Sequence, residues 1–204
     1  MKTAALFVET GGCYFDLPGV DPWDKERDAR FYRGPWPVVA HPPCERWGRY
    51  WHGSPRKPHQ YRMGDDGGCF EAALRSLVLC GGVLEHPADS HAWDKEFFDL
   101  PRPPDHGWLL AGGFAVARVE QGHYGHMSRK ATWLLAHEPV TLPDLIWGRA
   151  EQRLHPTALA KYGYAKARRI GMSAMVGGKD KTKIRAATPP AFRDLLLSMT
   201  ALTN

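Results

Sequence analysis

Three short apolar runs, each stopped by a turn signal, constrain this chain more than any other feature. AALFVE (4–9) closes at Thr10-Gly11-Gly12, VVAH (38–41) at Pro42-Pro43, and GVLEHP (82–87) at Pro87. Runs of this length bounded by glycine and proline read as buried strands. Before the third, GGCFEAALRSLVLC (67–80) has apolar residues at 70, 73, 74, 77 and 78, a helical spacing. FAVARVEQ (114–121) and KATWLLAH (130–137) read as an antiparallel pair around HYGHMSR. DKERDARFY (24–32) reads as a short helix capped by Asp24, whereas DLPGVDPW (16–23) is turn-rich. TPPAFRDLLLSM (188–199) reads as a terminal helix, with Thr188 as cap and proline in its first turn. This order predicts an α/β sandwich with a mostly parallel sheet and a late antiparallel hairpin. The expected core spans 1–150, with residues 42–66 as a basic, aromatic loop or lid. Residues 151–204 are expected to form a basic C-terminal segment ending in a helix.

Ligands of such sheets bind beyond the carboxyl ends of the strands. ETGG, HPPC and EHP each lie at such an end. Pro42 and Pro43 stiffen the backbone before Cys44, so its thiol is a candidate nucleophile, with buried structural cysteine as the alternative. Glu85 ends the next strand, where a carboxyl group can exchange a proton near that thiol.

Composition narrows the classes. Of 204 residues, 43% are hydrophobic and 24% charged, enough for one packed core. No run reaches the roughly 18 apolar residues of a membrane span, so no membrane partner is expected. The opening MKTAALFVETGG reads as a strand rather than an export signal, and none of the four cysteines forms a CxxC pair. A cytoplasmic protein with reduced thiols is therefore expected. The net charge of +5 permits a polyanionic partner. Eight Lys or Arg residues against one acid lie between Lys161 and Arg185, Lys166, Arg168 and Arg169 among them. In the 42–66 loop, Arg46, Arg49, Lys57 and Arg62 alternate with Trp47, Tyr50, Trp51 and Tyr61. Basic residues interleaved with aromatics suit phosphate neutralisation and base stacking, or else a solvated segment and a folded lid. The ten histidines include His123 and His126, three apart, but PC at 43–44 lacks the second cysteine of a zinc deaminase, and no metal is expected.

LFVETGG resembles the LFxGxGG stretch that opens the DNA cytosine-5 methyltransferases, with Phe7, Gly11 and Gly12 matching. HPPCERWG is similar to their PCQxxS segment through Pro43 and Cys44, and LEHP to their ENV segment through Glu85. QGHYGHMSRKATWLL resembles the later stretch where a glycine and a basic residue precede a strand, and RAATPPAFRDLLL the C-terminal stretch of short, divergent phage-borne relatives. The resemblance implies a Rossmann-like methyltransferase-type fold with a shortened N-terminal half. It implies a DNA base taken out of the stack, attacked at C6 by Cys44, held at N3 by Glu85 and modified at C5 with S-adenosylmethionine. Arg118 or Arg129 would orient the base, and Lys130 would meet DNA. A cofactor pocket would use Phe7, Glu9, Gly11, Gly12 and Pro43, with Asp21 as the candidate ribose acid and Glu9 a second. The asparagine of ENV is His86 here, and the glutamine of PCQ is Glu45. A non-catalytic nucleic-acid-binding protein on the same scaffold, another phage base-modifying enzyme and an enzyme of free nucleotides remain the alternatives.

Overall fold

The computed structural model describes residues 2–53, 60–151, 153–154, 156–170 and 185–201. Seven strands form one sheet: β1 (Thr3–Leu6), β2 (Val20–Trp23), β3 (Val38–Ala40), β4 (Gly82–Pro87), β5 (Leu109–Ala111), β6 (Phe114–Glu120) and β7 (Ala131–His137). Their order is β2-β1-β3-β4-β7-β6-β5. β2, β1, β3 and β4 run parallel, while β7, β6 and β5 each run antiparallel to the preceding neighbour. The mostly parallel α/β architecture and the late hairpin agree with expectation.

Helices cover both faces. On one, α1 (Cys69–Cys80) places Phe70, Ala73 and Leu77 against Leu6, Ala40, Leu84, Trp133 and Leu135. On the other, the terminal helix α3 (Pro190–Thr200) places Phe192, Leu196 and Met199 against Ala5, Val39, Val83, Ala117 and Leu134. Alternate strand residues thus serve opposite cores, as the twofold strand period requires. Each such side chain contributes about 1.5–3 kcal/mol when buried. Thr3 and Thr200 also share a buried 2.8 Å hydroxyl–hydroxyl hydrogen bond. The terminal helix therefore belongs to the core, not to an appended segment. Between the two, α2 (Pro156–Ile170) is broken at Gly163, whose φ is 68° and ψ 163°.

Three local expectations fail, each for a physical reason. The helix expected over 24–32 shrinks to one 3-10 turn, Ala29–Phe31. Asp24 Oδ1 accepts the amides of Glu26 and Arg27, and Asp28 adopts a left-handed conformation that an α-helix cannot contain. The turn-rich stretch 16–23 contains β2, and Pro22 is tolerated because β2 is an edge strand. β5 was not expected; it pairs with β6 through Gly112-Gly113, both at positive φ as tight hairpins demand. Among the described residues, no helix is long and apolar enough to cross a membrane.

Candidate active site

The carboxyl ends of β1, β3 and β4 lie side by side, and the start of antiparallel β7 reaches the same edge, since Pro87 pairs with Thr132. Each contributes a polar group. The Thr10–Tyr14 turn after β1 supplies Tyr14. The segment after β3 supplies His41 and Cys44. β4 supplies Glu85, and the residue before β7 supplies Lys130.

A hydrogen-bonded chain links three of these. Tyr14 Oη lies 2.8 Å from His41 Nε2, and His41 Nδ1 lies 2.8 Å from Glu85 Oε1. The other carboxylate oxygen, Oε2, is 3.5 Å from Gln121 Nε2, which also donates to Thr132 Oγ1 at 3.0 Å. About a tenth of each of the His41 and Glu85 side chains is exposed. Burial works to raise the Glu85 pKa. The His41 hydrogen bond and the charges of His41, Lys130 and His86 outweigh it and bring the group to about 2. Burial, with the charges of Cys13 and Glu85, holds the Tyr14 hydroxyl protonated well past its ordinary range. An ionised carboxylate only accepts, so the proton between His41 and Glu85 belongs to Nδ1, and in the neutral ring Tyr14 donates to Nε2.

Cys44 is exposed at the rim, yet enough protein surrounds its sulfur that desolvation is the main influence raising the thiol pKa. The Glu85 charge raises it further, and Lys130 pulls it down. The thiol and the carboxylate expected to act together lie on adjacent parallel strands, the thiol after β3 and the carboxylate near the end of β4. Burial lowers the Lys130 pKa, against the charges of Glu85, Cys44 and Cys13. Its ammonium donates to the carbonyls of Ala187 at 3.0 Å and Ala186 at 3.4 Å.

Lys130, rather than Arg118 or Arg129, is the basic side chain whose charge bears on Glu85. Arg118 pairs across the sheet with Trp133, and Trp133 with His86. It therefore faces away from Glu85, and it is bound to Asp105 at 2.8 Å. Arg129 donates to the Ala150 carbonyl at 3.0 Å and lies 4.0 Å from Glu120.

The expected cofactor residues divide. The glycine turn is present: Gly11 has φ 64°, and a Cβ on Gly12 would meet the Glu9 carbonyl at 2.8 Å. Glu9 and Pro43 are exposed. Phe7 has a left-handed backbone and packs on the α1 core. Asp21 does not fit the ribose role. It sits inside β2 opposite Ala4, with one oxygen on Arg27 at 2.6 Å and the other on Trp23 Nε1 at 2.9 Å. Asp24 stands nearer the right place, at the end of β2, but its oxygens take the Thr10 hydroxyl at 2.7 Å and two turn amides. Neither acid is free for a ribose diol.

The base of the 42–66 loop is folded. Trp47 is buried among Phe70, Phe97 and Phe98, and its Nε1 donates to Asp66, which also caps the amides of Gly68, Cys69 and Phe70. Arg46 stacks 3.5 Å over Tyr61, Arg49 lies 5.6 Å from the Tyr50 ring centre, and Arg62 is exposed. Lys166 is exposed on α2, 5.3 Å from the Tyr162 ring. Lys57 and the side chains of Arg168 and Arg169 lie outside the described residues. His123 bonds the Gly148 carbonyl and His126 the Ser128 carbonyl. Among the described residues, no three His, Cys, Asp or Glu side chains group to hold a metal.

Tyr14, His41 and Gln121 were missed by sequence reasoning. Only His41 carried a signal, a histidine closing an apolar strand directly before two prolines. No protein-family model matches this chain, and neither does any curated protein.

Proposed function

We propose that this protein is a pyrimidine C5-modifying enzyme acting on DNA, with Cys44 as nucleophile. One observation carries the reading: Cys44 follows β3, Glu85 lies near the end of the adjacent β4, and Lys130 precedes β7, which pairs with β4, at the edge of the sheet where such folds bind ligands. A Rossmann-like methyltransferase-type scaffold is consistent with the order β2-β1-β3-β4 followed by antiparallel strands.

The resting thiol is protonated, so its proton leaves to water as sulfur bonds to C6 of an extruded pyrimidine. The C5–C6 π electrons move toward the ring's C4 end. Lys130 favours the thiolate and the developing negative charge, and Glu85 meets the N3 edge. The chemistry that these residues support ends at an adduct activated at C5. Methyl transfer from S-adenosylmethionine is the simplest next step suggested by the sequence resemblance; Asp21 is committed within β2, which leaves the exposed Glu9 as the candidate ribose acid. The basic loop and α2 suit a DNA backbone.

DNA carrying a 5-fluoropyrimidine tests the proposal. A denaturation-resistant adduct that is lost in Cys44→Ser and kept in Cys69→Ser is expected. No adduct with any 5-fluoropyrimidine, with or without S-adenosylmethionine, overturns it. The commitment of Asp21 and Asp24 favours a second reading, a non-catalytic DNA-binding protein on this scaffold. It predicts intact DNA binding with no calorimetric response to S-adenosylmethionine and no adduct.

A further inference from the structure

We propose that the Glu85 pocket selects a uracil-type ring, with N3–H and a C4 carbonyl, over cytosine, and that His41, braced by Tyr14, is the positioning residue that sets this choice. The inference rests on the C5-modifying reading and names its substrate class.

A carboxylate that donates to cytosine N3 must first acquire a proton, because N3 of neutral cytosine is a bare acceptor. Here Glu85 Oε1 is committed to His41 Nδ1–H at 2.8 Å, and His41 is held from its far side by Tyr14 at 2.8 Å. A proton passed along that bond would sit between Oε1 and Nδ1 and not on the oxygen left to meet a base. The chain therefore fixes Glu85 as an acceptor. Among the described residues, its second oxygen has only a long 3.5 Å approach from Gln121 Nε2, so acceptor capacity remains there. An acceptor-only carboxylate complements N3–H of a uracil-type ring and repels the lone pair of cytosine N3.

Lys130 points the same way. An ammonium has three hydrogens, and two acceptors among the described residues, the Ala186 and Ala187 carbonyls, take two. When sulfur adds to C6 of a uracil-type ring, the displaced electron pair comes to rest on O4 as an enolate. A cation beside the carboxylate suits that oxyanion. In cytosine the same electrons go to N3 and need a proton donor there, which the chain does not offer.

Tritium release tests this without any group donor. Cys44 adds to C6, water protonates C5, and loss of the C5 tritium with expulsion of the sulfur restores the ring. Single-stranded DNA holding one 5-tritiated deoxyuridine is compared with the same strand holding 5-tritiated deoxycytidine, using the full chain. Release from uracil faster by on the order of 10⁴-fold is expected, the discrimination typical of a site built to hydrogen-bond one edge. His41→Asn, which keeps an N–H donor, should retain the preference. His41→Ala should shrink it several-fold, and Tyr14→Phe by less. Near-UV circular dichroism identifies variants that fail to fold, and the wild-type ratio stands without them. Cytosine released as fast as uracil overturns the inference while leaving the reading intact. No Cys44-dependent release from either ring overturns both.

Discussion

Glu85 and His86 are neighbours in one strand, both buried, and face opposite sides of the sheet into opposite environments. Glu85 is met by His41, Gln121 and the charge of Lys130. His86 sits in an aromatic cage, edge-on to Phe70 at 5.2 Å and stacked on Trp93 at 6.0 Å. Neither of its ring nitrogens has a hydrogen-bond partner among the described residues. Burial pushes its pKa down to about 4, against the Glu85 charge and the nearby Pro43 carbonyl, which stays outside hydrogen-bonding geometry. One residue is thus held charged by partners and the other neutral by their lack. In the α/β frame, the polar side at the end of β4 gathers hydrogen-bonded and charged groups, and the aromatic side packs against α1.

Removing each group should break this symmetry most visibly. Glu85→Leu strands His41 and Lys130 without their acid and should destabilise by about 3–5 kcal/mol, the usual cost of orphaning a buried charge. His86→Phe removes two buried nitrogens at similar shape and should be neutral or stabilising by roughly 1 kcal/mol. Urea denaturation of both variants at neutral pH measures the difference. An equal loss in the two would mean that His86 has a polar role that its surroundings do not show.

Acid should separate the two faces next. Both groups have folded-state pKa values below their unfolded ones, so both contribute stability that is complete above the unfolded value and lost as pH falls. For His86 the window runs from 6.5 down to about 4. For Glu85 it runs from 4.5 down to about 2. At 1.36 kcal/mol per unit, each window is worth roughly 3 kcal/mol. Chemical denaturation between pH 7 and 3 should show stability falling first in the histidine window. His86→Phe should flatten that part of the profile and leave the lower part. A profile unchanged by the substitution would place the early loss elsewhere.

The same contrast explains what could be read from the chain alone. The strand ends that carry Cys44 and Glu85 were legible because apolar runs stopped by proline announce them. α1 and the terminal helix were legible from apolar spacing. The Tyr14–His41–Glu85 chain was not, because packing alone joins residues 27 and 44 positions apart. Arg118 and Lys130 show a second limit. Which of them faces Glu85 depends on pairing register, and a shift of one residue sends every side chain to the other face. Only the pairing of Glu85 with Leu134 shows that Thr132 and Leu134 share its side, with Lys130 two residues before Thr132. Asp24 and Asp28 mark the third. Their side chains compete for backbone amides, so a segment with helical composition folds as turns.

The smallest effect probes the outer contact of the polar side. Thr132 Oγ1 donates to the Lys130 carbonyl and accepts from Gln121 Nε2, both at 3.0 Å, so it ties the residue that reaches Glu85 Oε2 to the strand that carries Lys130. Thr132→Val keeps the shape and removes both bonds. The loss should be about 1 kcal/mol, a typical value for a buried neutral hydrogen bond. Gln121 would then have only Glu85 to hold it, and its long 3.5 Å approach should tighten. That second donor on the carboxylate should carry the Glu85 window further down the pH scale. His86 lies across the sheet from both changes, so its own window should not move. Glu85 already bears on His86 through its charge and stays ionised throughout that window, so an early acid loss that shifts in Thr132→Val would mean that the substitution disturbs the aromatic face itself.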